Sequence, residues 1–170
     1  MLSRVRGRPA AAPEPRYRQA AEVIADTVGE HLAAPVAFAP RSLSLEVSPA
    51  GLLTVAALLR DHPQLGFAFL SCVSGVDMGD QIQVVYHLHS PSNGLSAQVR
   101  VRLDHDDPVV DSLVPLWPGA GWLERETYDL LGVRFTGHPD LRRIMMSEDH
   151  VGYPLRKDYL PPAYRGRVER

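Results

Sequence analysis

One stretch of the sequence is the most informative about the fold, Trp122-Leu-Glu-Arg-Glu-Thr-Tyr-Asp-Leu-Leu-Gly132. This stretch predicts an α-helix, because Pro118 suits its first turn, early glutamates favour the positive end of the helix dipole, and Gly132 suits its end. Glu124 and Glu126 point in different directions around the helix, so they do not form a carboxylate pair. The residues that share the face expected to be packed are Leu123, Thr127, Leu130 and Leu131.

Residues 137–170 follow this helix and show neither a helical period nor strand alternation. Apolar and aromatic side chains nevertheless recur among their basic residues, which is unusual for a solvated tail. We expect an extended arm whose anchors fill pockets on a partner and whose arginines pair across the contact. The remaining domain is expected to fold without the arm. The anchors are Pro139, Leu141, Ile144, Met145, Met146, Tyr153, Leu155, Tyr159 and Tyr164.

Three blocks in this half of the chain carry a family resemblance. They are Glu124-Arg-Glu-Thr-Tyr-Asp-Leu-Leu-Gly-Val133, Gly137-His-Pro-Asp-Leu-Arg-Arg-Ile144 and Pro154-Leu-Arg-Lys-Asp-Tyr159. In order and spacing they closely resemble the signature of the 30-kilodalton subunit of respiratory complex I. The bacterial NADH–quinone oxidoreductases call this their C-type subunit, and the plastid enzyme calls it the J-type subunit.

The resemblance implies a non-catalytic structural subunit on the peripheral arm of a proton-translocating NADH–quinone oxidoreductase. It implies a clamp on the 49-kilodalton (D-type) subunit, whose surface holds the quinone cavity, with iron–sulfur and other peripheral-arm subunits close by. FMN, the iron–sulfur clusters and quinone would lie on those other subunits, with no cofactor on this chain. The expected place is the cytoplasmic face of the cell (inner) membrane, reached only through the complex.

The charged residues of the signature could instead form a solvated helix face, which is the usual fate of a charge run. We favour an interface, because the arm follows directly and because tryptophan, tyrosine and arginine are enriched at interfaces. Arginine also suits bidentate pairing with carboxylates. The predicted partner interface comprises Trp122, Glu124, Arg125, Glu126, Tyr128, Asp129, His138, Arg142, Arg143, Leu155, Arg156, Lys157, Asp158 and Tyr159.

The charge of the chain is unevenly distributed, although the net value is only −2. Residues 1–18 carry +4, residues 19–133 carry −9 and residues 134–170 carry +3. Basic terminal segments can bind an acidic protein, an anionic lipid or a nucleic acid. The acidic body argues against nucleic acid, because it would repel the phosphate backbone.

Cys72 is the only cysteine in the chain. A single thiol can neither form an internal disulfide nor hold an iron–sulfur cluster, which needs about four thiolates. Electrons that pass through an assembly containing this chain are therefore not expected to stop on it. No apolar run reaches the length that spans a bilayer.

The rest of the sequence predicts an α+β fold. Residues 1–16 are interpreted as a disordered basic leader, residues 17–136 as the folded domain and residues 137–170 as the arm. Within the domain we expect a mixed five-stranded sheet covered by helices in two layers. Residues 109–117 predict a short helix or a turn. The expected elements are a helix at 17–31, strands at 36–38 and 43–47, a helix at 49–60, a strand at 67–73 buried on both faces, a loop at 75–79, and a hairpin of strands at 81–89 and 96–103.

Other sites were weighed against their structural interpretations. His87 and His89 share one side of a strand and could bind a metal with His105. A zinc site requires three or four ligands, and these two imidazoles have no fixed third ligand. A polar sheet face is the simpler interpretation, and no metal is expected. His138 could be a general base, but no nucleophile motif accompanies it, so we expect a hydrogen-bonded histidine that fixes the start of the arm.

Two alternative functions remain open from the sequence. One is the equivalent component of a membrane-bound hydrogenase or formate-hydrogen-lyase complex, which shares this module. The other is a stand-alone hydrolase that uses Glu126, Asp129 and His138.

Overall fold

The computed structural model describes residues 14–39 and 41–161. Most of the expected basic leader, and the anchor Tyr164, lie outside these described residues. The order of elements is helix, two strands, helix, three strands, a short strand, helix and a last short strand. The helices are α1 (Pro15–Val28), α2 (Leu52–Asp61) and α3 (Ala120–Leu131), and the strands are β1 (Ala37–Ala39), β2 (Ser42–Val47), β3 (Phe69–Asp77), β4 (Gln81–Ser90), β5 (Leu95–Asp104), β6 (Val109–Asp111) and β7 (Arg134–Thr136).

The first five strands form one mixed sheet in the order β1-β2-β5-β4-β3. β2 and β5 run parallel, whereas β1–β2, β5–β4 and β4–β3 are antiparallel pairs. The alternation of apolar and polar residues turns one face of β2, β4 and β5 inward, so residues such as Leu45, Tyr86 and Val99 are buried. The predicted α+β class and mixed five-stranded sheet are therefore confirmed.

The opposite face of the sheet is polar and accessible. Arg100 and Arg102 lie on this face. Arg102 Nε lies 2.8 Å from Glu46 Oε1, and Arg100 donates a hydrogen bond to Gln98. The three α-helices consequently cover one face only, which gives two layers. Among the described residues, no helix has both the length and the apolar character needed to cross a membrane.

The prediction for β3 was wrong in its bounds and in its position. The strand runs from Phe69 to Asp77 and lies at the edge of the sheet, where it pairs with β4. Phe67 is buried ahead of the strand, and its carbonyl oxygen accepts a hydrogen bond from the indole N–H of Trp117. The apolar run therefore mixes a buried loop residue with an edge strand, and the expected loop at 75–79 continues that strand as far as Asp77.

Two short strands were not predicted. Residues 109–117, expected to form a short helix or a turn, begin with β6, which pairs in parallel with β7 just after α3. Strands of three residues are too short to show an alternation. The first helix also begins at Pro15 rather than at residue 17, and it ends in a 3₁₀ turn at Gly29–His31.

Candidate functional site

The signature helix α3 packs on the edge strand β3 at a glycine. A Cβ atom at Gly75 would overlap the side chain of Leu131 and press on that of Thr127, so a larger residue here would require these side chains to move. The helix ends at Gly132, which has a φ of 78° and whose N–H donates to the carbonyl of Tyr128. This left-handed residue ends the helix, as the sequence predicts, and the chain continues into β7.

The helix buries charged residues, which is uncommon unless their partners are also buried. Asp129 is completely buried and its carboxylate holds the arm. One oxygen accepts hydrogen bonds from the backbone N–H groups of Ile144, Met145 and Met146, at 2.9, 2.6 and 2.9 Å. The other lies 2.7 Å from Nη1 of Arg143.

The environment of this carboxylate favours its charged form. Burial alone would raise the pKa of Asp129, but the backbone donors and Arg143 outweigh it and hold the pKa below its ordinary value. Nη2 of the same Arg143 guanidinium donates a hydrogen bond to the carbonyl of Gly152 at 3.1 Å. A single carboxylate–guanidinium pair thus orders two separate parts of the arm.

Two further arginines bind backbone carbonyls where helix and arm meet. Nε of Arg156, on the arm, donates to the carbonyl of Leu131 at 2.7 Å, which satisfies one of the free carbonyls at the end of α3. Nε of Arg125, on the helix, donates to the carbonyl of Arg142 at 3.2 Å. Both guanidinium groups also stack on aromatic rings, with Arg156 5.2 Å from the ring of Tyr153 and Arg125 4.8 Å from that of Trp122.

The ring of Tyr153 packs against the carboxyl end of α3. A Cβ atom at Gly132 would lie 2.5 Å from the ring of Tyr153, so the glycine is required both for its backbone conformation and for this contact. Next to it, the N–H of Leu155 donates to the carbonyl of Leu130 at 3.0 Å. The arm therefore caps the carboxyl end of α3 with both its side chains and its backbone.

Glu124 joins the helix to the segment after β6. It is completely buried, and its two oxygens accept hydrogen bonds from the Ser112 hydroxyl at 2.6 Å and from the Leu113 N–H at 2.7 Å. Burial raises the pKa of Glu124, although these two donors oppose the shift. Its role in the isolated chain is to connect β6 to α3.

His138 fixes the start of the arm. Its Nδ1 accepts the N–H of Asp140 at 3.0 Å, so its Nε2 carries the proton and donates to the carbonyl of Gly121 at 3.0 Å. With both ring nitrogens engaged, the imidazole is hydrogen-bonded in the way that the sequence predicted.

A second attachment of the arm was missed by sequence reasoning. Asp77, at the end of β3, accepts the N–H of Lys157 at 2.8 Å, and this bond holds the pKa of Asp77 below its ordinary value. A little further on, the Tyr159 hydroxyl lies 3.1 Å from Nε2 of His150. The only signal in the sequence was a carboxylate at the end of an apolar run, and nothing connected it to a segment 80 residues later.

The predicted interface residues thus fall into three groups. Glu124, Arg125 and Asp129 are buried and use their polar atoms within the chain, so a partner cannot reach them on the folded subunit, and their inclusion in the interface is corrected. Partly buried positions are Tyr128, His138, Arg143, Arg156 and Tyr159. Exposed positions are Trp122, Glu126, Arg142, Leu155, Lys157 and Asp158.

The structure does not assemble the other candidate sites. Glu126 is exposed, whereas Asp129 is buried and bound to the arm, so these two and His138 do not converge as a hydrolase would require. The three histidines considered for a metal are also separated. His89 pairs with Ser96 near one end of the β4–β5 ladder, and His105 follows the other end.

Fold and site together define a class of protein: a two-layer α+β domain whose C-terminal segment is folded back along its own signature helix. Residues 45–165 match the family described as respiratory-chain NADH dehydrogenase, 30 Kd subunit. The chain belongs to this family, and the resemblance noted in the sequence is confirmed.

Individual relatives and structures agree with this assignment. The C-type subunit of the NADH-quinone oxidoreductase of Roseiflexus sp. is 50% identical over 119 residues, which are 68% of this chain and 68% of that protein. The corresponding subunit of Rhizobium johnstonii is 46% identical over 120 residues, and the match spans 69% of this chain but only 60% of that relative.

Two solved structures share the fold. The trypsin-resistant fragment (1-134) of Nqo5 is 28% identical with a TM-score of 0.61, and the match covers 74% of this chain and 99% of that one. A chain of an archaeal membrane-bound sulfane sulfur reductase is 22% identical with a TM-score of 0.73, and the match covers 90% and 91% of the two chains. The second likeness concerns the fold alone.

Proposed function

We propose that this chain is the 30-kilodalton, C-type component of a proton-translocating NADH–quinone oxidoreductase. It has a structural role in the peripheral arm and holds the 49-kilodalton subunit, next to the iron–sulfur subunits. Transfer of electrons from NADH through FMN and iron–sulfur centres to quinone takes place on other subunits, and no redox cofactor is bound by this chain. The names of the relatives support the identity of the complex.

The observation that carries the structural role is a set of large apolar side chains left exposed on α3 and the arm. Trp122 is 66% exposed although the Arg125 guanidinium stacks on its ring. Rigid aromatic anchors of this kind dominate the free energy of protein interfaces. The other members of the set are Met145, Val151, Leu155 and Leu160, with exposures between 47% and 64%.

Exposed charges accompany these anchors and suit the rim of an interface. Glu126 lies on α3, whereas Arg142, Lys157 and Asp158 lie on the arm. The buried hydrogen bonds and the Asp129–Arg143 ion pair beneath them have a different role. They hold the arm in the conformation that exposes the anchors. Preorganisation of this kind lowers the entropy cost of binding. The proposed interface therefore keeps the predicted residues that are exposed or partly buried, without Glu124, Arg125 and Asp129.

The location follows from the complex. The chain sits at the cytoplasmic face of the cell (inner) membrane as a peripheral protein and reaches the membrane only through its partners. A quinone pocket shared between subunits requires walls held in place to a fraction of an ångström, and a well-ordered clamp meets that requirement.

Affinity purification from native membranes tests this function. A tagged copy of the full chain, expressed in its own cell, should recover a 49-kilodalton-type subunit and iron–sulfur subunits, together with NADH–quinone reductase activity. Recovery of a hydrogenase-type large subunit would replace the proposed complex with the alternative one. Recovery of the chain by itself, with turnover on a hydrolase substrate, would contradict a structural role.

A further inference from the structure

A cluster of three potential metal ligands lies where the arm rejoins the sheet. Asp77 ends β3, His105 directly follows β5, and Asp158 belongs to the arm. The antiparallel register places the end of β3 beside the start of β4, and the start of β4 beside the end of β5. Within the described residues, one oxygen or nitrogen atom from each of these three side chains lies within 4.8 Å of the others.

The distance between two of these ligand atoms suits a shared cation as well as the direct ion pair that the two side chains form. Nε2 of His105 lies 3.5 Å from Oδ2 of Asp77. A charge-assisted N–H···O bond is shorter, at about 2.7–2.9 Å. Bond lengths of about 2.0–2.2 Å around a tetrahedral zinc ion separate neighbouring ligand atoms by roughly 3.3–3.5 Å.

The surroundings hold Asp77 in position and place an exposed carboxylate beside His105. Oδ1 of Asp77 accepts the N–H of Gly79 at 2.7 Å, and Oδ2 accepts the N–H of Lys157, which leaves that oxygen a second lone pair. Nδ1 of His105, the nitrogen that faces away from Asp77, lies 3.4 Å from a carboxylate oxygen of Asp106. A carboxylate behind a ligating imidazole is the usual support for a metal-bound histidine.

The donor set selects a class of cation. One imidazole with two carboxylates suits zinc and similar borderline divalent ions, whereas magnesium and calcium prefer oxygen ligands throughout. Arg156 is close enough to oppose a positive charge at His105. The Arg156 guanidinium donates a hydrogen bond to the Leu131 carbonyl and stacks on the ring of Tyr153. Its single positive charge is exceeded by the three negative charges of Asp77, Asp106 and Asp158.

We propose that Asp77, His105 and Asp158 bind a zinc-class divalent cation that ties the arm to the sheet, with water completing the coordination. This goes beyond the role in the respiratory complex and departs from the expectation of no metal. Two ligands come from the sheet domain and the third from the arm, so binding requires the folded-back arm. The ion therefore stabilises the arm rather than taking part in catalysis.

Metal binding to the full-length chain tests the proposal. After dialysis against a chelator, one equivalent of zinc should bind, and an excess of about 100 times Kd should raise the melting temperature by roughly 5–10 °C. Magnesium chloride should have no such effect. Cobalt(II) in place of zinc should give the intense visible absorption of a four-coordinate site. Absence of stoichiometric zinc binding would overturn the proposal.

Variants assign the bound ion to these residues. His105→Gln and Asp158→Asn should each weaken zinc binding at least tenfold and abolish the rise in melting temperature. Asp158 is exposed, so its variant should still fold even if His105→Gln does not. The matched control is His89→Gln, which removes an exposed imidazole from the open face of the sheet and should bind zinc normally. Equal loss in the control, or normal binding by Asp158→Asn, would overturn the assignment.

Discussion

At the scale of single residues, the signature helix contains two carboxylates with opposite surroundings. Asp129 is buried and receives hydrogen bonds from the arm, whereas Glu126, three residues earlier on the same helix, is exposed. Removing one member of a buried ion pair leaves the other uncompensated, at a cost of about 3–5 kcal/mol. Exposed substitutions usually stay within about 0.5 kcal/mol.

The first prediction compares these two positions. Asp129→Asn should lower the free energy of unfolding of the isolated chain by about 3 kcal/mol, because Arg143 and the three backbone donors lose their charged acceptor. Glu126→Gln should leave it almost unchanged while lowering the abundance of the assembled complex. Urea denaturation and quantitative blue-native gels measure the two effects. A large loss of stability in Glu126→Gln would instead make that residue part of the fold.

The second prediction concerns acid. Because the pKa of Asp129 is lowered by folding, its contribution to stability is complete above its unfolded pKa of about 3.9 and is lost as the pH falls through the folded value. Glu124 acts oppositely: its raised pKa favours folding below its unfolded pKa of about 4.3, and this advantage is lost as the pH rises through the folded value.

Denaturation between about pH 6 and pH 2.5 separates the two contributions. In Asp129→Asn the free energy of unfolding should decrease less steeply as the pH falls. In Glu124→Gln it should decrease less steeply as the pH rises. If Asp129→Asn keeps the full acid dependence of the unaltered chain, other carboxyl groups control it and the assignment to Asp129 is wrong.

At the scale of elements, the arm is part of the fold rather than an appendage. For residues 137–161 the sequence correctly indicated a segment without helix or strand, but not that this segment packs against the chain's own helix. Asp129, the carbonyls of Leu130 and Leu131, and Gly132 are all covered or satisfied by residues 140–157. These contacts indicate that the arm adds to the stability of the domain, while the expectation that the domain folds without the arm stays a prediction.

The third prediction follows from these contacts. Ending the chain after Thr136 should lower its melting temperature by about 5–10 °C, because the end of α3 loses both its caps and its apolar cover. A chain that ends after Pro161 keeps every described contact of the arm and serves as the control. Differential scanning calorimetry of both variants measures the effect. An equal melting temperature for the chain that ends after Thr136 would mean that the arm contributes little to the fold.

The limits of sequence reasoning are also clearest at this scale. Alternation identified β2, β4 and β5 because half of each strand faces the core, and Gly132 marked the end of α3 because the turn there needs a positive φ. β3 was misplaced because an apolar run does not reveal where its strand begins. The buried charges were mistaken for an interface because a paired carboxylate and an exposed one have the same letter in a sequence.

At the scale of the whole molecule, two surfaces of the described residues each expose several large apolar side chains. One is the α3–arm surface, with Trp122 and Leu155, and the other is the open face of the sheet, with Phe69 and Val76 at the edge strand. The first is built on a buried network that holds the arm in place. The second is a half-exposed sheet face of ordinary polar composition, such as antiparallel sheets commonly present to water.

The last prediction uses this contrast. Trp122→Ser and Leu155→Ser should each weaken incorporation into the complex by at least tenfold, because truncating a central anchor costs about 2–4 kcal/mol of binding. Phe69→Ser, at a position 56% exposed, is the matched control and should assemble normally. All three variants should melt within a few degrees of the unaltered chain, since their side chains are largely in water. Complex abundance in membranes and calorimetry of the isolated chains would be measured together. A loss of assembly confined to Phe69→Ser would move the partner to the open face of the sheet, and the folded-back arm would then have to be explained by stability alone.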